Sequence, residues 1–219
     1  FVVPNISPDL ATGIGSWATL DLVNAMMLGT SPDGNHYYPA FPFTSYTRMN
    51  VQDVMDLKAY MDTLQPVEND VGPHDLDFPW SLRRGIGLWK LLYLDQGPVL
   101  AAGREDPVYE RGRYLVESVG HCGECHTPRN LLGGLQTSRW LTGGPNPDGE
   151  GSVPNITPHQ DGLVSWSVAD IAYYLESGFT PDFDTVGGSM VKVQENMALL
   201  PDSDRVAIAT YLKAIPALP

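Results

Sequence analysis

The sequence predicts an all-α protein made of two related halves. Apolar residues recur at helical spacing between capping and stop signals, and a set of short motifs returns about 150 residues further on. Composition agrees, because 219 residues with 42% apolar and 18% charged side chains are too apolar for a disordered chain and sufficient for one large domain or two small ones.

The repeat opens with Pro4-Asn5-Ile6-Ser7-Pro8, which returns as Pro154-Asn155-Ile156-Thr157-Pro158 at an offset of 150. Trp17 then matches Trp166, Asp21 matches Asp170, Gly29 matches Gly178 and Pro32-Asp33 match Pro181-Asp182, all at 149. Asp53 and Asp204, Tyr60 and Tyr211, and Leu64 and Ile215 follow at 151.

Each half predicts the same pair of helices. In the first, Leu22, Val23, Met26 and Met27 form a short helix stopped by Gly29, and from Asn50 onward Val54, Leu57, Met61 and Leu64 form a longer one closed by Pro66. In the second, Ser167-Val168-Ala169-Asp170 reads as a capping box before Ile171, Tyr174 and Leu175, with Gly178 as the stop. Ile208, Leu212 and Ile215 mark the last helix before Pro216. Residues 67–105, punctuated by Pro73, Pro79 and Pro98 and carrying an aromatic helix over 81–94, read as a structured connector. The expected domains are therefore 1–66 and 106–219. The second starts with a helix over 107–119 whose counterpart would precede Phe1, so the chain is expected to begin inside its first domain.

Both cysteines of the chain lie in His121-Cys122-Gly123-Glu124-Cys125-His126. C-x-x-C-H is the covalent attachment motif of haem c: two thiols spaced to reach the two vinyl groups of one porphyrin, and an imidazole that meets the iron. A thioredoxin-like dithiol calls for a neighbouring strand–helix pattern, which is missing here. A structural zinc site needs four ligands, and His36, His74 and His159 are scattered. Gly112 and Tyr114 on the helix before the motif, and Tyr211 and Leu212 on the last helix, are placed for a close crossing. Pro128 is a candidate for presenting a carbonyl to the imidazole N–H, which would raise its basicity, or for a plain turn. A thioether is expected as the iron's sixth ligand, and spacing leaves Met190 and Met197 both open.

Pro4-Asn5-Ile6-Ser7-Pro8, the run from Ser31 to Pro42, Tyr46-Thr47-Arg48-Met49, the run from Gly120 to Asn130, and Gly187-Gly188-Ser189-Met190 together resemble the dihaem c-type cytochromes of proteobacteria. That group is related to the cytochrome subunits of periplasmic alcohol- and gluconate-type dehydrogenases. The resemblance implies two cytochrome c-like domains in tandem, the first incomplete at its N-terminus. It implies Cys122 and Cys125 as haem anchors, His126 as proximal ligand, Met190 rather than Met197 as distal ligand, and Met49 as distal ligand of a second haem whose attachment segment is absent from this sequence. Arg129, and Trp166 or Trp140, are expected near the propionates.

The function so implied is periplasmic electron transfer from a dehydrogenase to a downstream cytochrome or oxidase, with haem c as cofactor and no bond-making at a substrate. A dihaem enzyme of the peroxidase or thiosulfate dehydrogenase type is the alternative. Methionine at both distal positions speaks against it. A haem-free first domain that docks a dehydrogenase is a further reading. The net charge of −13 argues against nucleic acid as a partner and for a basic protein. No run approaches the roughly 20 apolar residues of a membrane span, and the start has no signal-peptide pattern, so any leader or anchor is expected outside this stretch.

Overall fold

A computed structural model describes residues 1–219 except 79–80, 101–105, 147–148 and 150. Pro79 and the last residues of the expected connector lie outside the described residues. The chain divides into two compact units, Phe1–Gln96 and Gly97–Pro219. The connector is thereby shared, residues 67–96 going with the first unit.

In the second unit, Asp106 caps α5 (Pro107–Tyr114) by accepting from the Val108 N–H at 2.9 Å, with Pro107 at the first helical position, where its missing N–H costs nothing. The expected helix over 107–119 continues as a π turn, Leu115–Val119, closed by the Gly120 N–H on the Leu115 carbonyl at 2.7 Å. His121 then takes a positive φ of 39°, which turns the chain into the single turn α6 (Gly123–His126). A two-stranded ribbon follows, β1 (Gly144–Pro145) antiparallel to β2 (Ser152–Val153). Helices α7 (Val168–Ser177), α8 (Met190–Met197) and α9 (Asp202–Ala214) complete the unit. Ser167 and Asp170 form the expected reciprocal cap, and Gly178 ends α7 at φ 79°.

Helices α5 and α9 cross at Gly112. A β-carbon there would sit 1.9 Å from the Ala207 carbonyl oxygen and 2.8 Å from Cβ of Tyr211, so only glycine allows this approach. The contact buries Tyr109, Val116, Ile208, Tyr211 and Leu212 in one core. Arg111 fastens the same two helices with both donors on the Asp204 carboxylate, at 2.8 and 2.7 Å.

A polar chain runs through this core. The Trp140 indole N–H donates to the Tyr211 oxygen (3.1 Å), and the Tyr211 hydroxyl donates to Glu117 (2.6 Å). The Glu117 carboxylate also accepts from the backbone N–H of Val99 at 2.8 Å. Burial first, and then the neighbouring Glu117 charge, hold the Tyr211 phenol protonated.

The first unit contains α1 (Thr19–Leu28), α2 (Phe43–Tyr46), α3 (Val51–Met61) and α4 (Arg84–Tyr93). Its core gathers Ile14, Leu22, Met26, Met49 and Val54. Helix α3 stops at Met61, short of Pro66, because the Thr63 and Leu64 N–H groups tighten into three-residue turns on Tyr60 and Met61. Helix α4 lays Trp89 edge-on to Phe43 (centroids 6.3 Å apart), and the Lys90 ammonium reaches the Leu28 and Gly29 carbonyls at 2.6 and 3.2 Å. A cation there complements the C-terminal end of the α1 dipole.

The repeat is also a repeat of hydrogen bonds. The Ile14 N–H meets the Ser7 carbonyl (2.9 Å) as Leu163 meets Thr157 (2.8 Å), and Asp21 accepts from Ala18 as Asp170 does from Ser167, both at 2.8 Å. The bridge Thr30–His36 recurs as Phe179–Thr185.

Two outcomes test the crossing. Gly112→Ala is expected to destabilise the holoprotein by roughly 1–3 kcal/mol in urea unfolding, whereas Gly85→Ala, in open space on α4, is neutral or stabilising by about 0.5–1 kcal/mol. Tyr211→Phe leaves the Trp140 N–H and Glu117 each short of a buried partner and is expected to cost about 1–3 kcal/mol in the same measurement.

Candidate haem-binding site

Helix α6 places Cys122, Cys125 and His126 within one turn. Cys122 is half-buried, Cys125 is exposed, and neither is in a disulfide. Burial pushes the Cys122 thiol up to about 12, far from the lowered value of a redox-active thiolate. The turn is packed from below, since a β-carbon at Gly123 would meet the Trp140 ring at 2.2 Å.

His126 is 9% exposed, and its Nδ1 lies 2.9 Å from the Pro154 carbonyl oxygen. A carbonyl only accepts, so this contact places the proton on Nδ1 and leaves the Nε2 lone pair for a metal. Burial keeps the ring neutral by lowering its pKa, against the opposing pull of the Pro154 bond.

The acceptor is Pro154, where the sequence suggested Pro128. The Pro128 carbonyl instead takes the Gln136 N–H (2.9 Å) and closes a local turn. Pro154 reaches the imidazole because Gly143, at φ 79°, lets the chain after β2 pass close. A β-carbon at Gly143 would meet the Val153 oxygen at 2.5 Å and the Pro154 carbon at 2.8 Å. The Gly143 N–H itself donates to the His126 carbonyl at 2.7 Å, and the Leu141 N–H donates to Thr127 Oγ1 at 3.0 Å. The motif that contains Pro154 is anchored from behind: Asn155 and Thr157 both donate to the Leu218 carbonyl, at 2.8 and 2.9 Å.

The other expected residues make the following contacts. The Arg129 guanidinium pairs with Glu124 at 2.5 Å and donates to the Gly133 carbonyl at 2.9 Å, fastening the turn from 129 to 135 to α6. The Trp140 N–H is taken by Tyr211, which leaves it no hydrogen for a propionate. Trp166 is half-buried and edge-on to Tyr174, with centroids 5.5 Å apart. Met190 and Met197 stand at the two ends of α8, seven residues apart, and both pack against the core of the second unit.

Met49 is 8% exposed in the first core. Its N–H bonds the Tyr46 carbonyl (2.9 Å) as that of Leu200 bonds Met197 (3.1 Å), so hydrogen-bond register sets it opposite Leu200 and not opposite Met190. The resemblance assigned Met49 on its own motif, Tyr46-Thr47-Arg48-Met49, so this register describes the repeat and not that assignment.

The donor set of the second unit fits a haem c: two thiols one turn apart, a neutral imidazole held by its far nitrogen, and thioethers packed on the same core. Among the described residues no three His, Cys, Asp or Glu side chains are grouped to hold a metal ion.

Comparison with known proteins identifies the family. No family model matches the chain. It is 57% identical, over all of its 219 residues and 72% of the relative's length, to a protein of Cereibacter sphaeroides named diheme cytochrome c-type. It is 38% identical over 216 residues to the fructose dehydrogenase cytochrome subunit of Gluconobacter japonicus, covering 97% of this chain and 44% of that one. To the gluconate 2-dehydrogenase cytochrome c subunit of Pantoea cypripedii it is 35% identical over 222 residues, covering 97% of this chain and 50% of the relative. The chain thus spans about half the length of these dehydrogenase subunits. Carrying the C-x-x-C-H turn and matching over its whole length 72% of a relative named diheme cytochrome c-type, the chain belongs to the dihaem c-type cytochromes.

Proposed function

We propose that the chain is the electron-transfer portion of a periplasmic dihaem cytochrome that takes single electrons from a dehydrogenase and passes them to a downstream cytochrome or oxidase. The observation that carries this reading is the His126 imidazole, buried, neutral and tautomerically fixed by Pro154 beside two thiols at attachment spacing. Cys122 and Cys125 would hold the porphyrin, and His126 with Met190 would fill the axial positions. When bound, the haem supplies a one-electron iron couple. Two protein ligands on one iron suit electron transfer and leave that iron no substrate position. Both thiols are then consumed as thioethers, which leaves no free cysteine in this sequence. A surface of net charge −13 favours fast, salt-sensitive encounter with a basic redox partner.

The same reading makes the units tandem cytochrome c-like domains, 1–66 and 106–219, the first lacking its front part in this sequence. The closing helices support it. Tyr211 of α9 is fully buried under α5, while its counterpart Tyr60 on α3 is 62% exposed, together with Val51 and Met55. A helix like α5 would cover that face. Asn5 and Ser7 tie to the Val67 carbonyl (2.7 and 3.1 Å) as Asn155 and Thr157 tie to Leu218, so Pro4 stands where Pro154 presents its carbonyl to a ligand histidine.

Intact mass with a pyridine haemochrome assay on the full-length protein is expected to give two covalent haems per polypeptide. One haem would make the first unit a haem-free docking module. Met190→Ala is expected to remove the long-wavelength thioether-to-iron band of the second haem, and Met197→Ala to leave it. The reverse result would transfer the ligand role to Met197.

A further inference from the structure

The hairpin after α1 and the hairpin after α7 share one backbone. In the first unit the Ser31 N–H meets the Asn35 carbonyl (2.8 Å), the Gly34 N–H meets the Ser31 carbonyl (2.9 Å) and the Asn35 N–H meets the Ser31 hydroxyl (3.1 Å). In the second unit the same three bonds run from Thr180 to Asp184 (2.9 Å), from Phe183 to Thr180 (3.1 Å) and from Asp184 to the Thr180 hydroxyl (3.0 Å). Thr30 therefore stands opposite Phe179 and Gly34 opposite Phe183. On the preceding helices Asn24 stands opposite Tyr173.

At these three places only the second unit is aromatic. Tyr173, Phe179 and Phe183 are all exposed, and with Asp170, Thr180 and Pro181 they line an open cleft of about 420 Å³. Phe183 is the clearest case. It is 93% exposed and holds a φ of 62°, in the left-handed region where its counterpart is Gly34 at 78°. A bulky side chain there strains the backbone, and at that exposure it buries almost nothing in return. The turn does not need it, since the first unit closes the same turn with glycine. Exposed rings grouped around a cleft are the kind of feature that anchors a protein–protein contact.

Charge selects the partner. Residues 140–191 contain seven Asp or Glu and no Lys or Arg, and Asp182 and Asp184 of that stretch flank Phe183. The next basic side chain, Lys192, is paired with Glu195 at 2.7 Å. Aromatic faces beside carboxylates make a seat for a cation. At the matching end of its own hairpin the first unit supplies such a cation from within the chain. The Lys90 ammonium lies 3.0 Å from the Thr30 hydroxyl, bonds the Leu28 and Gly29 carbonyls, and stands 5.7 Å from the centre of the Phe43 ring.

We propose that the face formed by Tyr173, Phe179 and Phe183 is the docking surface for a basic redox protein, one lysine or arginine of which enters the cleft while its neighbours meet Asp182 and Asp184. This rests on the electron-carrier reading above and adds the surface that the second unit presents to its partner. The hairpin closes at Thr185, two residues before the Gly187-Gly188-Ser189-Met190 segment, so a partner seated there adjoins the stretch that carries Met190.

The test uses the reduced, full-length holoprotein and oxidised mitochondrial cytochrome c, a lysine-rich one-electron acceptor, mixed by stopped flow at low ionic strength. A triple variant, Tyr173→Asn with Phe179→Thr and Phe183→Gly, installs the residues of the first unit on the same backbone. It is expected to lower the second-order rate by roughly tenfold or more, while unfolding in urea no earlier than the parent. Its rate with ferricyanide, a small anion that does not use an acidic face, is expected to stay at the parent's value. Asp182→Asn with Asp184→Asn is expected to lower the cytochrome c rate by about threefold and to flatten its dependence on salt. A triple variant that reacts with cytochrome c as fast as the parent would overturn the inference and leave the carrier reading intact. An equal loss with ferricyanide would assign the rings to packing around the haem and overturn it as well. So would a parent dimer that the triple variant dissolves in sedimentation, since the face would then belong to a second copy. Failure of the parent to reduce either oxidant fails the carrier reading itself, and the inference with it.

Discussion

The second unit is organised around one hydrogen bond, from Nδ1 of His126 to the Pro154 carbonyl. An imidazole on a single helical turn is free to rotate, and a porphyrin iron needs it in one tautomer and one orientation. The bond supplies both, and most of the local structure serves to place its acceptor. Gly143 lets the returning chain come close, its own N–H holds the Gly143 segment to the His126 carbonyl, and Asn155 with Thr157 brace the returning chain against the C-terminal tail. Trp140 beneath Gly123 connects this shell to Tyr211 and Glu117 in the helix crossing, so the attachment turn and the core of the unit share one polar chain.

Much of this was legible in the sequence, for reasons that differ by element. Ser167, Asp170 and Gly178 mark the ends of α7 because capping is local chemistry, decided within four residues. Gly112 was readable as a crossing because in c-type domains the helix before the attachment motif meets the last helix, and a glycine lets two backbones approach. The role of Pro154 was not readable, although its motif was noticed as a repeat. Its carbonyl acts across 28 residues of chain, and no side chain advertises a backbone oxygen. Pro128 was the sequence's candidate only because it is near in the text. Arg129 and Trp140 looked available for propionates until Glu124 and Tyr211 were seen to use them. The π turn at Leu115–Val119 carries no sequence mark of its own.

The two units show which parts of such a scaffold hold and which drift. The glycine-stopped helix, the acidic cap that precedes it, the bridge after it and the tether to the tail recur with nearly identical hydrogen bonds. The stretch between the bridge and the next helical turn, 38–42 in the first unit and 187–193 in the second, differs in length and in chemistry. The shared bonds position backbone, and backbone position tolerates many side chains. That stretch hangs between two fixed points, where residues can be lost without disturbing either.

The contact at Gly112 also sets the order in which the second unit can be made. Its partner, Ala207, lies 95 residues further along the chain, so the two helices that seal the core are the first and the last to leave the ribosome. Bringing them together means closing a loop of nearly the whole unit, a slow step for any folding chain. Until then the turn that carries Cys122 and Cys125 belongs to an open polypeptide, and the core beneath it is sealed last.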